Sequence, residues 1–514
     1  VGVIDVRCDR HHQALRHPVK LALEPPGGIN SDETTYATPG LWADGNNMRV
    51  HNGRMEAIGG WTKWHSVLLT GTCRNALAWS DDNGQESIAT GSEQALQVLV
   101  DGTLYDITPT DLLDGNTDTI PSPGWGEGYW GGGPWGGGEL SETWPRTWSL
   151  SNFGKWLIAN PRAQGIYLWQ NDTSAVATVL SGAPTNAICS LVTPSRQVLA
   201  FGCNEEVSGD FNAKCIRGSD IENITDWTAG TADNAFEFLV EGPGTTLVKA
   251  ALCQDVVPVW TDAALYVGTN QDIAEAPWVF ALTASNCGLI GPNAYTVTNE
   301  GVWWMSPDKQ FFFWSYGSPP VPVPCPIRDD FMDNLTETDK IVCAENPQFN
   351  EIWWFYADSR DGDECSRFIA YNTVEQAWFR GDVARTATVD RKGRAPLRIN
   401  GYIYRHENGS LADSAALNWS IETSSFYVDE SGREVVLQGI RPDFYDQENS
   451  ATMTLYGRYF PQATPVSKGT YTLAAGREKR DFRARAKIIS AKFDGTGRIR
   501  FGKPVFEFGL GGER

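Results

Sequence analysis

The 514-residue sequence predicts an all-β protein: a β-propeller of about six blades with an additional antiparallel β-sheet or sandwich domain toward the C-terminus. Three observations predict it. Short β-branched and aromatic runs bounded by Gly, Pro, Asn and Asp recur along the chain. Stretches with apolar residues at i, i+3, i+4 and i+7 over three turns are scarce. The runs also fall into groups spaced by roughly 40–60 residues, the scale of a propeller blade.

The first 66 residues read as an extended arm that ends in a first pair of strands. VGVIDVRCDRHHQALRHPVK lacks an apolar stretch followed by a small-residue cleavage site, so no signal peptide is expected. No run is long and apolar enough to span a membrane. Residues 67–390 carry six blade-like groups: Asn75–Thr108, Thr147–Ser181, Thr185–Trp227, Leu247–Thr283, Asn293–Pro324 and Asp339–Asp382. Their strands include KWLIAN (Lys155–Asn160), GVWWMS (Gly301–Ser306), QFFFWSY (Gln310–Tyr316) and EIWWFYA (Glu351–Ala357). Short helical turns fit Ser219–Trp227 and Pro326–Leu335. No WD dipeptide, kelch di-glycine or sialidase Asp-box recurs, so the propeller rests on periodicity. Two tandem β-sandwiches are the structural alternative. Residues 391–514 form the C-terminal platform, with longer alternating strands such as ATMTLYGRYF, a pattern with one wet face.

A Gly/Trp-rich loop, PGWGEGYWGGGPWGGG at residues 123–138, interrupts the blades. A solvated linker would use serine rather than tryptophan. A glycine loop has no core of its own to cover Trp125, Tyr129, Trp130 and Trp135. These four are expected to anchor into a neighbouring subunit or partner.

Catalytic marks are absent. G-x-S-x-G, H-E-x-x-H and the P-loop do not occur. Three of the six histidines, His11, His12 and His17, lie in the arm without a further ligand. The ten cysteines make no C-x-x-C pair and sit mostly in apolar contexts, which predicts buried free thiols. DSRDGDE (Asp358–Glu364) has the carboxylate density of a calcium loop but not its spacing, and reads as a solvated acidic hairpin tip. No enzyme activity, cofactor or metal is expected.

Net charge is −21, unevenly spread. Ala451–Arg514 holds thirteen Lys and Arg against five Asp and Glu, a balance of +8 that leaves −29 for the remainder. An acidic body repels phosphate, and a basic end can dock onto it. Arg477, Lys479, Arg480, Arg483, Arg485 and Lys487, in REKRDFRARAK, are the candidate docking residues.

GLWADGNNMRVHNGRMEAIGGWTKW (Gly40–Trp64) resembles the N-terminal motif of tail hub or nozzle proteins of short-tailed double-stranded-DNA phages, also described as packaged-DNA stabilisation proteins. Asn47, Arg49, Asn52, Gly53, Arg54, Ile58, Gly59, Gly60 and Trp61 carry the match. GYIYRHENG (Gly401–Gly409) and the terminal RIRFGKPVFEFGLGGER fit the same style. The resemblance implies a structural virion protein, made in the host cytoplasm and placed in the tail. It implies a propeller-bearing subunit of a homo-hexameric tube attached to the head-to-tail connector, with tail fibre or tailspike proteins as further partners. The lumen would conduct and retain double-stranded DNA without sequence-specific binding. A Trp-rich propeller that binds or cleaves host-surface glycans is the alternative, because carboxylate pairs for glycoside hydrolysis are set by spatial separation.

Overall fold

A computed structural model of the chain describes residues 19–23, 27–34, 41–120, 143–230, 233–271, 273, 277–389, 396–427 and 433–510. Strands dominate, and the one α-helix among the described residues is Arg328–Asn334, inside one of the two expected helical turns. Ser219–Trp227 forms turns without a helix. The chain divides into two compact units: residues 58–417, and residues 1–57 together with 418–514.

Residues 58–417 form the propeller. Among the described residues, seven blades follow one another, the first five of four strands, the sixth of five and the seventh of six. Their innermost strands are Asn75–Ser80, Trp148–Phe153, Ala187–Val192, Leu247–Ala250, Tyr295–Val297, Val342–Asn346 and Ala387–Val389, for blades 1 to 7. Each of the six expected groups holds the innermost strand of one blade. The count of about six is corrected to seven. The seventh blade pairs Ala387–Val389, Leu397–Asn400 and Tyr402–His406 with Trp61–Lys63 from the start of the unit. That pairing also moves the boundaries. Residues 58–66 and 391–417, expected in the arm and the platform, belong to the propeller unit. Drawing the first strand of the unit into the last blade joins the two ends of the ring, and the edges that remain are the short ones of each blade.

The core lies between the faces of successive blades. Leu96, Val98 and Trp79 of blade 1 pack with Leu157, Ala159 and Trp169 of blade 2. Phe201 and Ile216 of blade 3 pack with Val257, Tyr266 and Phe280 of blade 4. Blades 4 and 5 meet through Trp260 and Trp304, with ring centroids 5.7 Å apart. Fully burying each such side chain is worth about 1.5–3 kcal/mol. Tryptophans also rivet blades by their indole N–H groups. Trp148 donates to the Ser92 carbonyl of blade 1 at 2.8 Å, Trp278 to Gln197 Oε1 of blade 3 at 2.8 Å, and Trp378 to the Pro324 carbonyl at 2.8 Å. The described cysteines are free thiols, buried except Cys325. Burial pushes the Cys73 and Cys365 thiols up to about 12, so neither is reactive at neutral pH.

The second unit is knitted from both ends of the chain. Trp42–Asn46 pairs with Asn418–Thr423, which continues through Ile488–Thr496 and Ala451–Arg458 to Val466–Leu473. A second antiparallel sheet runs Val19–Ala22, Val505–Leu510, Val435–Arg441 and Arg480–Ala486. Ala451–Arg458 alternates buried and half-buried residues, as the one-wet-face pattern predicts. Phe501 organises the core: its ring lies 4.9 Å from Phe444, 5.4 Å from Phe493 and 5.6 Å from Trp42.

Candidate functional site

The seven innermost strands enclose an axial cavity of about 390 Å³. Apolar residues such as Leu150, Leu191, Ala250 and Val342 form part of its wall, and its two cations are Arg74 and Lys249. Lys249 sits in the otherwise apolar run LVKAALC and Arg74 in the mostly apolar run TCRNALAW, and both are buried. A lone cation inside an apolar strand is the signal that would have found them in the sequence.

Arg74 is neutralised. Its two terminal nitrogens donate to the two carboxylate oxygens of Glu364 in blade 6, each at 2.7 Å, and one also reaches the Thr117 carbonyl at 3.0 Å. Burial opposes its charge, but the Glu364 hydrogen bonds and charge outweigh it, so Arg74 is held above the ordinary arginine range. Lys249 is different. Its ammonium donates to Ser149 Oγ at 2.7 Å and to the Trp148 carbonyl at 3.3 Å, and no carboxylate bonds to it among the described residues. Burial therefore lowers its pKa.

A strap, residues 116–120, ties blades across the ring. Asn116 accepts from the Arg146 amide, Lys340 of blade 6 bonds Asp118, and Thr119 Oγ1 donates to Glu337 Oε2 at 2.6 Å. Arg162 of blade 2 pairs with Asp339 at 3.0 Å. The strap ends where Ile120 donates its amide to the Thr143 carbonyl at 2.8 Å. The anchor residues Trp125, Tyr129, Trp130 and Trp135 come between these two positions and lie outside the described residues.

The acidic hairpin Asp358–Glu364 has a solvent-exposed tip, residues 359–363, as expected, but its base is buried and paired. Asp358 is fully buried and pairs with Arg360 at 2.7 Å and Arg367 at 3.5 Å, while Arg367 also holds Asp361 at 2.6 Å. Arg360 and Arg380 hold Asp330. Burial pushes the Asp358 and Asp330 carboxyls up, but the arginines outweigh it and leave both below the usual range. The Arg367 hydrogen bond lowers Asp361 as well. A carboxylate depressed in the folded state stabilises above its unfolded pKa, and that stability is lost as pH falls through the folded pKa. The propeller is therefore expected to hold its melting temperature down to about pH 5 and lose it progressively below about pH 4. Melting curves across that range check this, and Arg360→Gln with Arg367→Gln should flatten the decline.

The predicted basic residues lie in the other unit. Lys479 is half-buried and already neutralised, with Glu507 at 2.7 Å and Asp481 at 2.9 Å. Arg480–Ala486 is the edge strand of its sheet. It turns Arg483 and Arg485 to solvent, while Phe482 on its opposite face stacks on Tyr471 at 4.5 Å. Arg477 is exposed, and Arg480 and Lys487 are half-buried. Arg477, Arg483 and Arg485 make no ion pair among the described residues.

The residues of the Gly40–Trp64 motif hold backbone geometry. Asn47, Asn52 and Gly53 have left-handed φ of 55°, 51° and 68°. Asn52–Gly53 is the two-residue turn between Met48–His51 and Arg54–Ala57, a hairpin connection those residues favour. Arg49 is buried, and Arg54 donates to the Gly502 carbonyl at 3.3 Å. In the propeller unit, Ile58 is buried and a Cβ on Gly59 would lie 2.3 Å from Glu407 Oε2. A Cβ on Gly60 would lie 2.3 Å from the Leu411 carbonyl oxygen. Trp61 stacks on His406 with centroids 5.2 Å apart, and the Arg385 guanidinium lies 4.6 Å over its ring.

No family model and no curated protein matches the chain. Among solved structures it is similar to a chain of the "Crystal Structure of Mitotic Checkpoint Complex", with 10% identity and TM-score 0.37, covering 79% of this chain and 99% of that one. It is also similar to YCF48 from Cyanidioschyzon merolae, with 8% identity, TM-score 0.39 and coverage of 68% and 98%. A third likeness is the computationally designed Ika8 protein, with 12% identity, TM-score 0.37 and coverage of 74% and 99%. The propeller is defined by the seven blades themselves.

Proposed function

We propose that this chain is a structural subunit of a short-tailed phage tail nozzle, assembling with copies of itself into a hexameric tube. The observation that carries the reading is the Gly40–Trp64 motif. Its asparagines and glycines occupy left-handed or sterically closed positions, and Trp61 latches the seventh blade. Residues held by such geometry support reading the motif as an architectural one. The acidic body, with −29 outside the final 64 residues, supports passage of double-stranded DNA without grip. The connector and a tail fibre or tailspike protein complete the partners of this reading. Tail placement, assembly from host cytoplasm and the absence of catalysis belong to it as well.

Closing a ring needs two different, complementary faces on each copy. Arg477, Arg483 and Arg485 supply an unneutralised basic face for an acidic neighbour. Replacing these three by glutamine is expected to weaken self-association at least tenfold and to leave the melting temperature unchanged. Mass photometry with thermal melting reads both; unaltered assembly would remove the basic edge from the interface. Electron microscopy of the native assembly tests the function itself. A six-fold tube on a connector, with the loop at residues 123–138 at a contact, is the expected image. A virus-free monomer holding a sugar would replace this reading with the glycan-binding propeller.

A further inference from the structure

The axial cavity brings together hydrogen-bond donors from three successive blades, and part of their donor capacity meets no protein acceptor among the described residues. Lys249 comes from blade 4, and its side chain reaches past the innermost strand of blade 3 to Ser149 of blade 2. Ser149 Oγ accepts from the ammonium, so its own O–H proton points elsewhere, and no protein acceptor takes it among the described residues. On the intervening strand of blade 3, Ser190 is buried, lines the same cavity and has a hydroxyl with no hydrogen-bond partner. An ammonium has three protons, and Lys249 uses two. No Asp or Glu lines the cavity, and the other cation, Arg74, carries its own carboxylate partner. A buried cation without a counter-charge is costly, and a buried hydroxyl without a partner costs about 1–3 kcal/mol.

We propose that the axial cavity binds a small oxyanion, a carboxylate or a phosphate-type group, through Lys249 Nζ, Ser149 Oγ and Ser190 Oγ. One ammonium and two hydroxyls meet the acceptor oxygens of such a group, and its charge compensates Lys249. The apolar residues around the donors leave room for a short aliphatic portion behind the charged end. Burial lowers the Lys249 pKa, and a bound anion would restore its charge. The inference does not depend on the tail reading, because it uses residues of the propeller channel alone.

The test is calorimetric titration of the full chain with sodium acetate and with inorganic phosphate, at constant ionic strength set by chloride. The wild type is expected to bind one of them saturably at one site per chain. Preference for acetate assigns a carboxylate ligand, and preference for phosphate assigns a phosphate group. Ser190→Ala, which only trims a hydroxyl, is expected to raise the Kd at least fivefold, and Lys249→Met to raise it at least tenfold. Arg483→Gln, on the other unit, should leave it unchanged. Absence of saturable binding of either anion, or an equal Kd in wild type and both channel variants, overturns the proposal. If Lys249→Met fails to fold, Ser190→Ala alone decides it.

Discussion

Gly60→Ala is expected to unlatch the propeller and to cost about 3 kcal/mol, near the upper end of overpacking penalties. The added Cβ would sit 2.3 Å from the Leu411 carbonyl oxygen and 2.6 Å from the Leu411 nitrogen. Both are backbone atoms, so no side chain can swing aside. Gly60 is also bonded on both sides, its amide to the Gly409 carbonyl and its carbonyl from the Asn408 amide, each near 3.0 Å. Moving it to relieve the clash breaks those bonds and pulls Trp61 off His406. Trp61–Lys63 pairs with Tyr402–His406 and, in parallel, with Leu411–Ala412, so its release opens blade 7, the blade that joins the two ends of the unit. Urea unfolding of the variant should show a lowered midpoint, and limited proteolysis should cut near residue 60 before any blade. Gly53→Ala is the contrast: nothing lies within 4 Å of its Cβ, and only its φ of 68° resists, a cost of about 1 kcal/mol. Equal effects at the two glycines would show that closure is not what Gly60 protects.

Glu364→Ala is expected to destabilise the propeller by about 3–5 kcal/mol, the range for stranding one member of a buried pair. The Arg74 side chain is 2% exposed, whereas Glu364 is 40% exposed. Removing the carboxylate leaves a buried guanidinium with the Thr117 carbonyl as its remaining acceptor among the described residues. Removing the arginine instead leaves a carboxylate that water can reach. Arg74→Met should therefore cost less than Glu364→Ala, and the double variant should recover part of the loss. Chemical denaturation of the two single variants and the double variant measures the cycle. If the two single variants cost the same and add without coupling, the pair does not bridge blades 1 and 6.

Sequence spacing alone was enough for the all-β class and for six of the blades, because a strand's period of two and its bounding turns are local properties. Leu96–Val100 and Glu351–Asp358 are visible as strands from their own residues. The local turn chemistry of Asn52–Gly53 was equally legible, since a left-handed pair has few alternatives. Tertiary structure alone decided the seventh blade, whose strand Trp61–Lys63 comes from the other end of the unit. Thr62 and Asn408 bond across 346 residues of sequence, and no window of residues encodes that pairing. It also decided the fate of the charges. DSRDGDE is a wet tip at residues 359–363, but its first carboxylate, Asp358, is buried against Arg360 and Arg367, which its spacing does not reveal. The axial site was hidden for the same reason. Ser149, Ser190 and Lys249 are unremarkable where each stands in the chain. They become one cluster only when three innermost strands are laid side by side around a common axis.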